Sequence, residues 1–162
     1  MDVNFNTINL HEPEYKRIKA ILDNAQKELR ADIILLVSQG GQPVVISEST
    51  GDLDFTSLAS LAAANLAATD GLANLVGEGE FSVLVHQGRH RSLYISDVLR
   101  KFSFVMVFNA TTTLGLVRYK VKKSIILLEE VMRDVLQKSS RKEASAGNPD
   151  FSEEELKRFL EL

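Results

Sequence analysis

The sequence predicts an α/β protein of the α+β class, with a five-stranded antiparallel sheet, one helix on one face and two on the other. Helical and extended patterns follow one another as helix, two strands, helix, three strands, helix. The strands are separated by short turns, which favour antiparallel pairing over the long crossovers of a parallel sheet. A chain of 162 residues that is 44% hydrophobic can bury one core, so one domain with appendages is expected.

The first helix is predicted to begin near Glu12, with Pro13 in a position where its missing amide costs nothing. Residues 33–37 and 43–47 read as two strands joined by the turn SQGGQ. Residues 1–11 fit either a frayed end or a short edge strand. The apolar stripe of the first helix comprises Tyr15, Ile18, Ile21, Leu22, Ala25 and Leu29.

A middle helix is predicted at 54–76, with Asp54 as its N-cap. Between 56 and 76 its one charged residue is Asp70, where the overall composition would give roughly five, so it lacks an ordinary solvated face. The predicted core side carries Leu58, Leu61, Ala62, Asn65, Thr69, Leu72 and Val76. The opposite side is a stripe of small residues that would admit the backbone of a partner: Ser60, Ala64, Ala67 and Gly71.

Three further strands are predicted at 81–86, 92–96 and 102–108. The last should be central, because its end is continuously apolar. A third helix is predicted at 116–138, with an apolar stripe formed by Val117, Val121, Ile125, Leu128, Val131 or Met132, and Val135. Residues 1–138 are therefore predicted to form the folded domain.

The remaining chain is predicted to be a flexible linker at 139–150 and a short C-terminal amphipathic helix at 151–162. Ser152 and Glu155 form a capping-box pattern at the start of that helix. A helix of about eleven residues is marginal alone in water, so its apolar side needs a surface, on a partner or on its own domain. That side carries Leu156, Phe159 and Leu160.

Composition excludes several classes of function. The formal charge of −3, from 19 basic and 22 acidic residues, gives no reason to expect nucleic acid or an anionic membrane as the main partner. The absence of cysteine excludes disulfides and thiolate chemistry. The first residues do not read as a secretory leader, and no run of 18 apolar residues occurs, so a soluble cytoplasmic protein is expected.

No pattern of a known catalytic or cofactor site is found. The sequence lacks the P-loop, the GxGxxG fingerprint and the GxSxG elbow. His86 and His90 bracket a predicted turn and His11 is remote, which is too few ligands for a metal site. We therefore predict no catalytic residue, no cofactor and no metal. The basic cluster Arg118, Lys120, Lys122 and Lys123 is interpreted as a solvated helix face rather than a phosphate or lipid site.

The run SLASLAAANLAATDGLANLVGEGEF, followed by HQGRHRSLYIS and FVMVFNATTTLGLVR, resembles the MglB-like branch of the bacterial Roadblock (dynein light chain-like) family. The resemblance covers roughly residues 13–138. It implies a Roadblock fold whose protomers pair sheet edge to sheet edge, with their middle helices side by side. It also implies a homodimer that stimulates GTP hydrolysis by a small Ras-like GTPase of the MglA type, in cell polarity and motility. It further implies action without an arginine finger, by reordering the catalytic residues of the GTPase itself.

The resemblance places partner-binding residues on the middle helix and on the C-terminal helix: Ser60, Ala63, Ala64, Ala67, Ala68, Gly71, Leu156, Phe159 and Leu160. Neither nucleic acid nor membrane insertion is expected, and the family's role in polarity would fit concentration at a cell pole. Two alternatives stay open. One is a Roadblock scaffold that binds a GTPase or assembly partner without stimulating hydrolysis. The other is a ligand-binding or enzymatic domain, which would need convergent polar groups in a pocket.

Overall fold

The computed structural model describes residues 3–5, 8–48 and 52–146, with side chains described for 10–48 and 52–141. The predicted C-terminal helix at 151–162 therefore lies outside the described residues. The described elements are, in chain order, β1 (Val3–Phe5), β2 (Ile8–Leu10), α1 (Glu12–Leu29), β3 (Ile33–Ser38), β4 (Pro43–Ile46), α2 (Phe55–Leu75), β5 (Val83–Gln87), β6 (Arg91–Val98), β7 (Phe102–Asn109) and α3 (Leu114–Ala146).

The main sheet has five antiparallel strands in the order β4-β3-β7-β6-β5, as predicted. β7 lies at its centre, with Ile33 of β3 opposite Val107 on one side and Leu93 of β6 opposite the same residue on the other. Every side chain from 102 to 108 is buried, which explains the continuous apolar run of that strand. β4 and β5 are the two edges.

Helices cover both faces of this sheet: as predicted, two helices, α1 and α3, lie on one face and one helix, α2, lies on the other. Side chains alternate along a strand, so Ile34 and Leu36 of β3 point into a large core beneath α1 and α3. Their neighbours Ile33, Leu35 and Val37 point into a smaller core beneath α2. The two faces are therefore packed by different helices.

α1 follows the prediction closely. It begins after His11 with Pro13 in its first turn, and it ends at Arg30, whose left-handed backbone (φ 50°) closes the helix. Ile18, Leu22, Ala25 and Leu29 of the predicted stripe are buried. The hydroxyl of Thr112, between β7 and α3, donates a 2.7 Å hydrogen bond to the Leu29 carbonyl and ties the end of α1 to the start of α3.

α3 is longer than predicted, and the linker predicted from residue 139 was wrong for 139–146, which are helical. This segment contains small and charged residues but neither glycine nor proline, and the Ser140 hydroxyl bonds back to the Leu136 carbonyl at 3.0 Å. The residues that disfavour a helix, Gly147 and Pro149, come later in the sequence. The rest of the predicted linker lies outside the described residues.

The N-terminal residues form a separate two-stranded antiparallel pair, with Val3 opposite Leu10. The predicted edge strand is therefore part of its own small hairpin and does not extend the main sheet. Leu10 is fully buried in the core beneath α1 and α3. The hairpin thus adds to the same hydrophobic core.

An ion pair joins the beginning of α1 to the distal part of α3. The Lys138 ammonium lies 2.6 Å from a carboxylate oxygen of Glu14, and the Glu14 residue is buried. This hydrogen bond holds the pKa of Glu14 below its usual range. A carboxylate whose folded-state pKa is lowered stabilises the fold above its ordinary pKa of 4.5 and loses that contribution as the pH falls through its folded-state pKa.

Replacing Lys138 by Met should reduce the free energy of unfolding at pH 7 by about 1 kcal/mol, since it leaves the buried Glu14 without its partner but the ammonium is partly solvated. Urea denaturation at several pH values tests this, and the difference from the parent protein should shrink below about pH 4. Lys16→Met removes the exposed pair with Glu12 and should have much less effect. An equal loss for both variants would contradict the assignment.

Candidate partner-binding surface

α2 begins at the predicted N-cap. The Asp54 carboxylate accepts a 3.0 Å hydrogen bond from the backbone amide of Ser57 and a second bond from the Ser57 hydroxyl. These two bonds hold the pKa of Asp54 below its usual range. The cap fixes the first turn of α2 against the connection from β4.

The side of α2 that faces the sheet consists mainly of small residues. Ala59, Ala62 and Ala73 are at most 1% exposed, and Thr69 is also buried. Ala59 and Ala62 pack in the smaller core with β3, β6 and β7. Side chains of this size allow the backbone of α2 to lie close to the sheet.

The helix and the β3–β4 turn approach each other most closely at Gly41. A Cβ on this residue would lie 2.9 Å from the Ser60 Cα, and its φ of +80° is strained for other residues. The Ser60 hydroxyl donates a 3.3 Å hydrogen bond to the Gly41 carbonyl. Glycine is thus required here both by the turn and by the neighbouring helix.

Three of the five leucines of α2 point away from the sheet, so the predicted core side of this helix was wrong in part. Leu61, Leu72 and Leu75 are 65%, 58% and 83% exposed. Asn65 and Val76, also predicted to face the core, are exposed as well. Ala62 and Thr69 are buried as predicted, and Leu58 is half-buried against the smaller core.

The error has a physical cause. The prediction took side-chain size as the sign of burial, but the narrow space between α2 and the sheet accepts mainly small side chains. The buried side is rotated by roughly 70° around the helix axis from the predicted one, less than one residue step.

The structure exposes most of the predicted partner-binding residues of α2. Ser60, Ala64, Ala67, Ala68 and Gly71 are exposed, whereas Ala63 is half-buried against the smaller core. The three predicted tail residues, Leu156, Phe159 and Leu160, lie outside the described residues.

Sequence reasoning missed the exposed leucines, although the lack of charge on every side of the helix was the signal that could have found them. We define the outer face of α2 as Leu61, Ala64, Ala68, Gly71, Leu72 and Leu75, which share one side of the helix. The outer face contains no charged side chain. A contiguous apolar surface of this kind is typical of a protein–protein contact.

The β5 edge continues the apolar surface beyond α2. Within the described part of the chain, β5 pairs with β6 on one side and has no strand on the other, so one row of its main-chain groups is open to pairing. Phe81 and Val83 beside this edge are exposed. Phe81 also lines a small cavity together with Leu66 and Ala67 of α2.

Arg100 connects α2 to the β6–β7 turn. Leu99 and Arg100 both have left-handed backbone (φ 56° and 59°), the conformation of a tight hairpin turn. The Arg100 guanidinium lies 2.5 Å from Glu80 and 3.6 Å from Asp70 of α2. The adjacent cavity of about 90 Å³ is much smaller than the roughly 300–1,000 Å³ of a typical ligand pocket. Because its guanidinium pairs with Glu80 and Asp70 beside so small a cavity, Arg100 is interpreted as a structural residue that links the β6–β7 turn to α2.

Asp97 belongs to the same turn. Its carboxylate accepts a 2.9 Å hydrogen bond from the Arg100 backbone amide. Burial raises the pKa of Asp97, and this effect outweighs the amide and the nearby guanidinium.

The histidines and the basic cluster are the other candidate sites among the described residues, and both are interpreted as structural. No group of three or more His, Asp or Glu in that part of the chain could hold a metal ion, and His86 and His90 are exposed at the β5–β6 hairpin. Two members of the predicted basic cluster have partners: Lys120 pairs with Glu28 at 2.7 Å, and Lys123 lies 4.8 Å from the centre of the Tyr119 ring. No described helix has the length and apolar character needed to cross a membrane.

The five-stranded sheet, the single helix on one face and its apolar outer side define a Roadblock/LC7 domain. The model of that family, described as the Roadblock/LC7 domain, matches residues 18–108, and the chain belongs to this family. Within it the chain is MglB-like. Comparison with curated proteins finds no match.

Three solved structures illustrate the relationship. MglB from Myxococcus xanthus is 38% identical, with a TM-score of 0.73 over 78% of this chain and 95% of that one. The gliding protein MglB from Thermus thermophilus is 30% identical, with a TM-score of 0.75 over 82% and 99%. A Roadblock/LC7 domain from Streptomyces avermitilis, 10% identical with a TM-score of 0.65 over 71% and 97%, shares the fold alone.

The inner side of α2 can be tested by enlarging one alanine on each side of the helix. Ala62→Leu should lower the free energy of unfolding by about 1–3 kcal/mol, because the added atoms have no room against the sheet. Ala64→Leu on the outer face should change the free energy of unfolding of the dissociated protomer by less than about 0.5 kcal/mol. Urea denaturation of both variants, at one protein concentration low enough to keep the chain monomeric, gives the comparison. A larger loss for Ala64→Leu would mean that the faces are assigned the wrong way round.

Proposed function

We propose that this chain is a homodimeric GTPase-activating regulator of a small Ras-like GTPase of the MglA type, acting in bacterial cell polarity and motility. The observation that carries the proposal is the uncharged, exposed outer face of α2 on an MglB-like Roadblock domain. Isolated exposed leucines are ordinary, but Leu61, Leu72 and Leu75 share one side of a single helix.

The twin protomer is proposed to use the β5 edge and part of the outer face. Pairing of two β5 strands would satisfy the open main-chain groups at that edge and extend the sheet across the dimer. The two α2 helices would then lie side by side, with Ala64, Ala68 and Gly71 allowing close approach. A protein 29% identical to this one, solved as MglB in a tetrameric arrangement, supports association between copies.

The GTPase is proposed to bind the rest of the outer face. This surface offers apolar side chains and no charge, so it can order the switch loops of a GTPase but cannot neutralise the phosphates. Arg100, the arginine held against α2, is engaged by Glu80 and Asp70. These features support stimulation without an arginine finger.

Introducing a charge into the outer face should abolish GTPase binding. Leu72→Arg places a guanidinium in the part of the outer face proposed for the GTPase, and we expect at least a 100-fold loss of affinity for the GTPase loaded with a GTP analogue, measured by calorimetry. Leu127→Arg changes an exposed leucine on α3 and is the control. Light scattering must accompany both, since a dissociated dimer would lower affinity indirectly. Normal binding by Leu72→Arg would place the GTPase site elsewhere.

Replacing Arg100 by Lys tests the mechanism. Lysine retains the positive charge beside Glu80 and Asp70 but lacks the planar guanidinium that a finger uses. We expect stimulated GTP hydrolysis to stay within about threefold of the parent, measured as single-turnover phosphate release. Removal of a true arginine finger costs about 10³–10⁵ in rate, so a loss of that size would contradict the proposed mechanism.

The same assay distinguishes a GTPase-activating regulator from a scaffold of the same fold. Phosphate release by the GTPase should rise when the parent protein is added. Binding without any rise would favour the alternative, a Roadblock scaffold that holds a GTPase or assembly partner.

A further inference from the structure

A second exposed apolar surface runs along α3, on the side of that helix that points away from the sheet. Four large side chains there are 43–59% exposed: Leu116, Tyr119, Ile126 and Leu127. We define the α3 stripe as Leu116, Tyr119, Lys123, Ile126, Leu127 and Glu130, which share this side of the helix because they recur at steps of three and four residues. The larger core takes the opposite side of the helix, so nothing in the fold of one chain covers the α3 stripe.

The two charged residues of the α3 stripe are both exposed, and neither forms an ion pair within the described part of the chain. Their sequence neighbours are engaged: Lys120 pairs with Glu28 at 2.7 Å, and Glu129 pairs with Arg133 at 2.9 Å. The Lys123 ammonium lies 4.8 Å from the centre of the Tyr119 ring, which keeps it over the stripe. Ile126 and Leu127 are therefore flanked by an available cation on one side and an available carboxylate on the other.

This order of groups is complementary to itself when two copies of the helix run in opposite directions. In an antiparallel pair centred between Ile126 and Leu127, Lys123 of each copy lies opposite Glu130 of the other, because the two residues are equally far from the centre. The apolar side chains of both copies then meet at the centre. A parallel pair would instead set Lys123 against Lys123 and Glu130 against Glu130, which repel.

We propose that the α3 stripes of two copies of this chain pack on each other in the antiparallel arrangement, around a twofold axis between Ile126 and Leu127. Burial of the exposed apolar side chains supplies the attraction. The two Lys123–Glu130 pairs fix the direction and the register of the helices.

The contact through α3 goes beyond the proposed function and is separate from the homodimer proposed there. The α3 stripe and the outer face of α2 lie on opposite sides of the sheet, so pairing through α3 leaves the β5 edge and the GTPase surface uncovered. The stripe is about 21 Å long, and one helix face of that length covers less than the roughly 1,200 Å² of a stable interface. We therefore expect a Kd of about 10–100 µM, which leaves the stripe exposed in dilute protein.

Charge exchange tests this arrangement. In sedimentation velocity, the average mass of the parent protein should rise above its dilute value between about 1 and 300 µM. Lys123→Glu and Glu130→Lys each place like charges opposite one another at both ends of the contact, so each should weaken the association at least tenfold. An equimolar mixture of these two variants should regain the rise, as should the double variant, because opposite charges face each other again in both.

The control is Glu48→Lys, a charge reversal of the same size at an exposed residue beyond β4, which should associate like the parent protein. Circular dichroism melting of dilute samples checks that all the variants are folded, which is expected because the substituted side chains are exposed.

The proposal would be overturned by a parent mass that stays at its dilute value throughout this range. A rise that survives both single variants would also overturn it, by assigning the association to another surface such as the β5 edge. So would a mixture that stays dissociated, because Lys123 would then not face Glu130 of a second copy. No GTPase is present in these measurements, so their outcome is independent of the proposed function.

Discussion

The narrow space between α2 and the sheet is the constraint on which the rest of this structure depends. Ala59 and Ala62 are fully buried in it, and Gly41 brings the β3–β4 turn to within contact of the helix backbone. Because the fully buried positions of the inner side are occupied by small residues, Leu61, Leu72 and Leu75 are left on the solvent side. Exposed leucines at neighbouring helical positions gain nothing from the fold itself, so they favour association with another apolar surface.

The two faces of the sheet consequently have different roles. α1 and α3 bury the larger core, and the Thr112 hydrogen bond and the Glu14–Lys138 ion pair hold these helices to each other. α2 covers a smaller core, and its outer face is exposed to solvent. The larger core opens towards solvent beside β5, where Val83, Val85 and Ile125 line a groove. The larger core thus contributes most of the buried apolar residues, and α2 provides the uncharged exposed face.

The elements of the fold could be predicted from the sequence because their periodicities are local and unambiguous. The stripe of α1, the apolar run of β7 and the cap at Asp54 all occur where the pattern placed them. The orientation of α2 could not be predicted in the same way, since a helix that is apolar all round has no polar side to define its rotation. The side that packs on the sheet is defined by long-range contacts, such as that of Gly41 with Ser60, which no local window of sequence contains. The end of α3 was misplaced because small polar residues were taken as a linker although none of them breaks a helix.

The outer face of α2 is the surface that we propose partners cover. Hydroxyl-radical footprinting measures this directly, because the oxidation rate of a leucine side chain follows its exposure. With the GTPase bound in its GTP-analogue form, Leu61, Leu72 and Leu75 should be protected severalfold relative to dilute protein alone. Leu116, Ile126 and Leu127, exposed on α3, should keep their rates. Protection of the α3 residues with no change on α2 would contradict the account.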